Sequence, residues 1–149
     1  MDTVEALKQV FMFKDVPEPV LELVARAVDE ISVAAGETIV SPADTPNALY
    51  IIRNGTVRVE PGDAPPVLFG TGETIGEVAL IDGGPAGGTV IALERVDLLV
   101  LRSGKLADAL AGHPEAGHQF YRAIAKSLAG RLRRAVGMLA FARQRDSRS

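Results

Sequence analysis

The sequence predicts an α+β fold: a compact antiparallel barrel or sandwich with short helices ahead of it and a long helix behind. Three observations point there. From about Asp29 to Arg102, short apolar runs are split by Gly, Pro, Asn and Asp every 8 to 12 residues. That is the spacing of antiparallel strands, not of alternating strand–helix units. Before and after this region, apolar residues recur at three- and four-residue steps, the period of helices with one buried face. No apolar run approaches the ~18 residues needed to cross a bilayer.

Residues 1–28 read as a helical lead-in. Val4, Leu7, Lys8, Val10 and Phe11 give a short amphipathic pair of turns. In "FKDVPEPVLELVARAV", Pro17 and Pro19 suit the start and first turn of a second helix. Leu21, Val24, Ala25 and Val28 form its apolar stripe. Residues 29–102 supply the strands, with "TIV", "ALYIIR", "GTVRVE", "PVLFG", "TVIAL" and "DLLVLR" as the apolar runs. Asn54-Gly55 reads as a two-residue hairpin, because both residues tolerate positive φ. "VEPGDAPP" is a loop.

Helix returns over 103–142. "SGKLADALAGHP" opens with Ser103 as its expected N-cap and stops before Pro114. Residues 115–142 then carry one long helical pattern. Tyr121, Ala125, Leu128, Leu132, Ala135, Leu139 and Ala142 alternate four- and three-residue steps, an a/d seam over three heptads. A second stripe of Phe120, Ile124, Val136 and Met138 lies beside it. Two apolar faces on one helix are accounted for if one packs at home and the other on a partner, a homodimer through residues 115–142. The competing reading is one wide face buried in the monomer. Residues 143–149 form a basic tail, and the whole of 1–149 reads as one domain.

Composition narrows the function. Of 149 residues, 47% are apolar and 23% charged, as in a soluble globular chain. Zero cysteines exclude disulfides, thiolate metal sites and a cysteine nucleophile. The two histidines, His113 and His118, fall beyond the strands, so no cupin-type metal site is expected inside the barrel. "GTGETIGE" lacks the lysine of a Walker-type phosphate loop. The expectation is a binding module, not an enzyme, with no cofactor and no membrane span. "MDTVEALKQV" is acidic and amphipathic, unlike a secretory signal or transit peptide, so a cytoplasmic location is expected.

The net charge of -3 conceals a split. Residues 1–121 hold 8 Lys/Arg against 18 Asp/Glu, whereas residues 122–149 hold 8 Lys/Arg against Asp146 alone. The basic segment reads either as a solvated helix face or as a contact for an acidic partner, nucleic acid or lipid surface. It carries no DNA-binding motif.

"IGEVALIDGGPAGGTVIAL", residues 75–93, is built to wrap a small ligand, and Glu77 is the acid inside the wrap. No Lys or Arg occurs between Arg58 and Arg95. Together with "AAGETIVSPADTPNALYIIRNGTVRV", "DLLVLRSGKLADAL" and "HPEAGHQFYRAIAKSLAGRLRR", this stretch resembles the cyclic-nucleotide-binding domain family over roughly residues 6–142. That family includes catabolite-activator-type regulators, protein kinase A regulatory subunits and nucleotide-gated channels.

The resemblance implies a jelly-roll-like β-roll with a phosphate-binding cassette over 75–90. The cassette matches at Gly76-Glu77-Val78-Ala79-Leu80, then Pro85-Ala86-Gly87-Gly88-Thr89-Val90. It implies backbone N–H groups aimed at a phosphate, and Glu77 accepting from a ribose hydroxyl. Ala79 leaves room for the sugar-phosphate, and Thr89 either donates its hydroxyl or fills a strand position. Where the family carries its phosphate-pairing arginine, this chain has Ala86. Such a contact contributes about 2–4 kcal/mol in a sheltered site. Its loss corresponds to roughly 30- to 1000-fold weaker binding.

Arg53, Arg58 and Arg133 are the candidate replacement cations, and Leu128, Leu132 and Arg133 the candidate base contacts. Three readings stay open: a module still binding cAMP or cGMP, a pocket for another small ligand, and a degenerate scaffold that dimerises. The chain also fits the sensor part of a transcription regulator without its DNA-binding domain.

Overall fold

The computed structural model describes residues 2–147. In chain order the elements are helix α1 (Thr3–Lys8), a 3-10 turn at Phe11–Phe13, and helix α2 (Glu18–Ala25). Strands β1 (Val28–Val33), β2 (Thr38–Val40), β3 (Ala48–Asn54), β4 (Thr56–Glu60), β5 (Val67–Gly70) and β6 (Thr74–Ile75) follow. Helix α3 (Glu77–Asp82) leads to β7 (Thr89–Ala92) and β8 (Val96–Arg102), and the chain ends in α4 (Ser103–Leu110) and α5 (Pro114–Ser147). The anticipated basic tail continues α5 as far as residue 147; 148–149 lie outside the described residues.

Two antiparallel four-stranded sheets make the roll, in the orders β1-β8-β3-β6 and β2-β7-β4-β5. β3 and β8 are apolar on both faces because both faces are covered. Tyr50, Ile52, Leu98 and Val100 point into the roll with Val40, Val57 and Val90. The alternate residues Leu49, Ile51, Leu99 and Leu101 point out, into a second core beneath the helices. Period-2 alternation of side chains is what lets one strand serve two cores.

Asn54-Gly55 does not turn a hairpin. β3 and β4 belong to different sheets, and the chain crosses from one to the other at Gly55. Gly55 has φ +113, and a Cβ there would stand 2.8 Å from the Arg95 carbonyl oxygen. Glycine is required at this corner by the approach of the strand leading into β8, a long-range cause the dipeptide alone does not reveal.

The helices close the outer core. Pro17 precedes α2 and Pro19 sits in its first turn, as expected, and Leu21 and Val24 are buried. Ser103 is the first residue of α4 rather than its cap; no side chain caps that end. Its N–H is instead donated to the Asn47 carbonyl at 2.8 Å.

α5 is held at its N-terminal half. Phe120 and Ile124 are fully buried, and the Phe120 ring lies 5.1 Å from that of Phe13. Each such side chain contributes about 1.5–3 kcal/mol on burial. Beyond Arg131 the helix leaves the roll, and residues 132–146 are exposed throughout. Of the second stripe, therefore, Phe120 and Ile124 face the core, whereas Val136 and Met138 do not.

Candidate functional site

The glycine-rich bend is positioned by two close backbone approaches. Gly76 has φ +93, and a Cβ there would stand 2.5 Å from the Ala48 carbonyl oxygen, so conformation and space both demand glycine. At the other end, a side chain on Gly88 would run into the Glu60 carbonyl. Between them, α3 buries Ala79 and Leu80 and exposes Val78. The Ala86 N–H is donated to the Asp44 carbonyl at 3.2 Å, tying the tip of the bend to the loop before β3.

Glu77, the first residue of α3, is 4% exposed, one of two buried polar or charged side chains among the described residues. The other is Thr74, whose hydroxyl donates to Glu77 Oε1. Glu77 Oε2 is met by Arg131 Nη1 of α5 at 3.1 Å. A buried carboxylate needs such partners, because an isolated one would cost several kcal/mol to desolvate. Both oxygens are thus engaged, one from β6 and one from the long helix.

The bend carries no cation of its own. Ala86 is half-buried and packs against the inner core of the roll. Pro85 and Gly87 are exposed, and Thr89 opens β7 opposite Glu60. The two candidate replacement arginines of the roll are both paired: Arg53 with Glu30 at 2.7 Å, and Arg58 with Glu60 at 2.9 Å. Arg133 is exposed.

The reason Arg131 and not Arg133 reaches Glu77 is angular. At ~100° per residue, Arg131 falls on the face of α5 that carries Phe120 and Ile124, and Arg133 falls on the opposite one. That signal was present in the sequence. Thr74 had no comparable signature, since its contact depends on the left-handed turn at Gly76.

Along the same helix runs a groove of about 680 Å³ between α5 and the 3-10 turn, lined among others by Phe11, Met12, Arg122, Lys126 and Arg134. Among the described residues, no group of three or more His, Cys, Asp or Glu could hold a metal ion. No helix among them is long and apolar enough to cross a membrane.

The family model described as cyclic nucleotide-binding domain matches residues 30–113. The chain is similar to the cyclic nucleotide-gated potassium channel mll3241 of Mesorhizobium japonicum, at 31% identity over 109 residues, 73% of this chain and 30% of the channel. It is similar in structure to the N-terminal domain of a transcriptional regulator from Streptomyces coelicolor A3(2), with a TM-score of 0.73 and 28% identity. That match covers 84% of this chain and 93% of the other. The Thermus thermophilus catabolite activator protein matches with a TM-score of 0.72 and 26% identity, over 87% of this chain and 62% of that one. The chain spans under a third of the length of the curated relatives it matches.

Proposed function

Because the chain belongs to the cyclic nucleotide-binding domain family, we propose that it is a regulatory module in which a small cyclic nucleotide and the long helix compete for one carboxylate. The observation that carries this reading is the buried Glu77, shared between Thr74 and Arg131. A ribose hydroxyl donating to Glu77 has to reach a carboxylate that is 4% exposed and approached by Thr74 and Arg131, so it competes with Arg131 for access. Arg131 is 40% exposed along its side chain, so its release to water costs little. Occupancy of the bend then loosens α5 from α3, and the free half of α5 reports the change. Such coupling requires the ligand to bind the two helix positions with different affinity.

Binding in this reading is feeble, because Ala86 stands where an arginine would pair the phosphate. Backbone N–H groups of the bend are left to meet that charge. The output is homodimerisation through residues 115–142. Leu132 and Leu139 of the seam are exposed, at 65% and 56%, as surfaces awaiting a partner helix would be. The likeness to the N-terminal domain of a transcriptional regulator supports a sensor part acting on an output unit.

A second reading, a scaffold that binds nothing in the roll, is favoured by the packing of Ala86 on the inner core. Calorimetric titration with cAMP and cGMP separates the two. The competition reading expects Ala86→Arg to gain about 2 kcal/mol, roughly 30-fold. It also expects Arg131→Gln to bind several-fold tighter than the wild type. No binding by any of the three proteins would establish the scaffold.

A further inference from the structure

The geometry points to the groove between α5 and the 3-10 turn as a docking site for an acidic, amphipathic segment of a partner protein. No residue of 76–89 lines the groove, although Thr74 and Arg131, the two partners of Glu77, do. Its α5 wall carries Arg122, Lys126, Arg131 and Arg134, and the rest of the lining adds Lys14 against Asp15 and Glu73, which leaves the groove basic on balance. Arg131 is engaged by Glu77, but among the described residues no carboxylate pairs with Arg122, Lys126 or Arg134. The three belong to residues 122–149, which hold 8 bases against one acid, so acids to pair with them have to come from elsewhere.

Spacing and the facing wall select the occupant. Arg122, Lys126 and Arg134 lie on one row of the helix with Gly130 completing it, so successive positions are about 6 Å apart. Gly130 adds no side chain to the middle of that row, and the Arg134 guanidinium lies over it, with Nη1 3.6 Å from where a Cβ would stand. Alternate side chains of an extended peptide repeat at about 6.6 Å, which matches one step of the row.

Acids at alternate positions would therefore meet Arg122 and Lys126. The residues between them would turn to the opposite wall, where Phe11 is 76% exposed beside the partly buried Met12. A compact phosphate would leave the Phe11 wall unused. A nucleic-acid base would have one face of Phe11 at most to stack on, because Lys14 stands over the ring, 4.3 Å from its centroid. The seam of Leu132 and Leu139 lies on the far side of α5, so pairing through it leaves the groove open.

The test uses the full chain and fluorescence anisotropy with a labelled twelve-residue peptide of alternating Glu and Leu. A Gln-for-Glu peptide, a Ser-for-Leu peptide, a single-stranded RNA of equal charge and inorganic triphosphate serve as rivals. The acidic amphipathic peptide is expected to bind best, with affinity falling as salt rises. The double variant Arg122→Glu/Lys126→Glu is expected to lose at least 10-fold, and Phe11→Ser several-fold, with unchanged circular dichroism. No binding at low salt, equal binding by the double variant, or RNA or triphosphate matching the peptide would overturn the assignment. Because the variants keep Thr74, Glu77 and Arg131 and the assay contains no cyclic nucleotide, this outcome is read apart from whether the roll binds one.

Discussion

Arg131 Nη1 stands 3.1 Å from Glu77 Oε2, which makes a nearly buried acid of the bend and a half-exposed base of the long helix into one joint. The acid cannot find water, whereas the base can, so the two ends of the pair respond differently to mutation. Arg131→Ala leaves Glu77 with Thr74 alone and is expected to lower stability by about 1 kcal/mol, the small end of the range for a pair with one open side. Glu77→Gln keeps a partner for Thr74 and removes the buried charge, so its effect should be smaller. Urea unfolding of both variants checks the order, and a larger loss for Glu77→Gln would contradict it.

The exposed seam makes a separate prediction about assembly. Leu132 and Leu139 contribute nothing to the core of one chain, since both lie beyond the last packed residue of α5. Leu132→Glu and Leu139→Glu should each leave the urea midpoint of a dilute sample unchanged. In analytical ultracentrifugation each should weaken self-association by at least 10-fold, because a charge at an a or d position must be buried on pairing. A wild type that sediments as a monomer at high micromolar concentration would refute the dimer.

How much of this was legible in the sequence depended on whether the cause was local. The runs that became β3 and β8 were legible because both faces are apolar, and no other element could hide five successive buried residues such as Ala48–Ile52. The Gly76-to-Thr89 bend was legible from its order of small residues. Asn54-Gly55 misled because a hairpin and a corner between sheets ask the same dihedral freedom of Gly55; only the approach of Arg95 decides between them. Ser103 misled because β8 runs straight into α4 and the extended cap position falls one residue earlier, on Arg102. Arg131 was within reach of a helical-face argument, whereas Thr74 was not.

Two glycines of α5 report where the helix is held. A Cβ at Gly117 or at Gly137 would meet nothing within 4 Å, so neither glycine is required by space. Glycine inside a helix costs up to about 1 kcal/mol relative to alanine. Gly117 lies one turn before the buried Phe120, so Gly117→Ala should raise global stability by about 0.5–1 kcal/mol. Gly137 lies in the exposed half. In the monomer, Gly137→Ala should raise the helical circular dichroism signal without moving the urea midpoint. Equal midpoint shifts for both would mean that the far half of α5 folds with the roll.

Stability should fall at both ends of the pH scale, for opposite reasons. Asp29 is held below the ordinary carboxylate range, first by the hydrogen bond from Lys105 at 2.7 Å, against burial and with added help from the Lys105 and Arg102 charges. Its folded state binds a proton less readily than its unfolded state, so its contribution is present above the unfolded value near ~3.9 and fades as pH drops through it. Tyr50, 8% exposed, is pushed above its ordinary value chiefly by burial, with Asp44 adding to the rise and Arg102 opposing it. Its unfolded state ionises first, near ~10, so this contribution is intact below that pH and lost as pH rises above it. Urea midpoints measured across pH should therefore show a shallower acid limb in Asp29→Asn and a shallower alkaline limb in Tyr50→Phe. Tyr121, also raised by burial, should keep some alkaline slope in the Tyr50 variant. An alkaline limb unchanged by Tyr50→Phe would mean that the phenol ionises as readily in the roll as in the open chain.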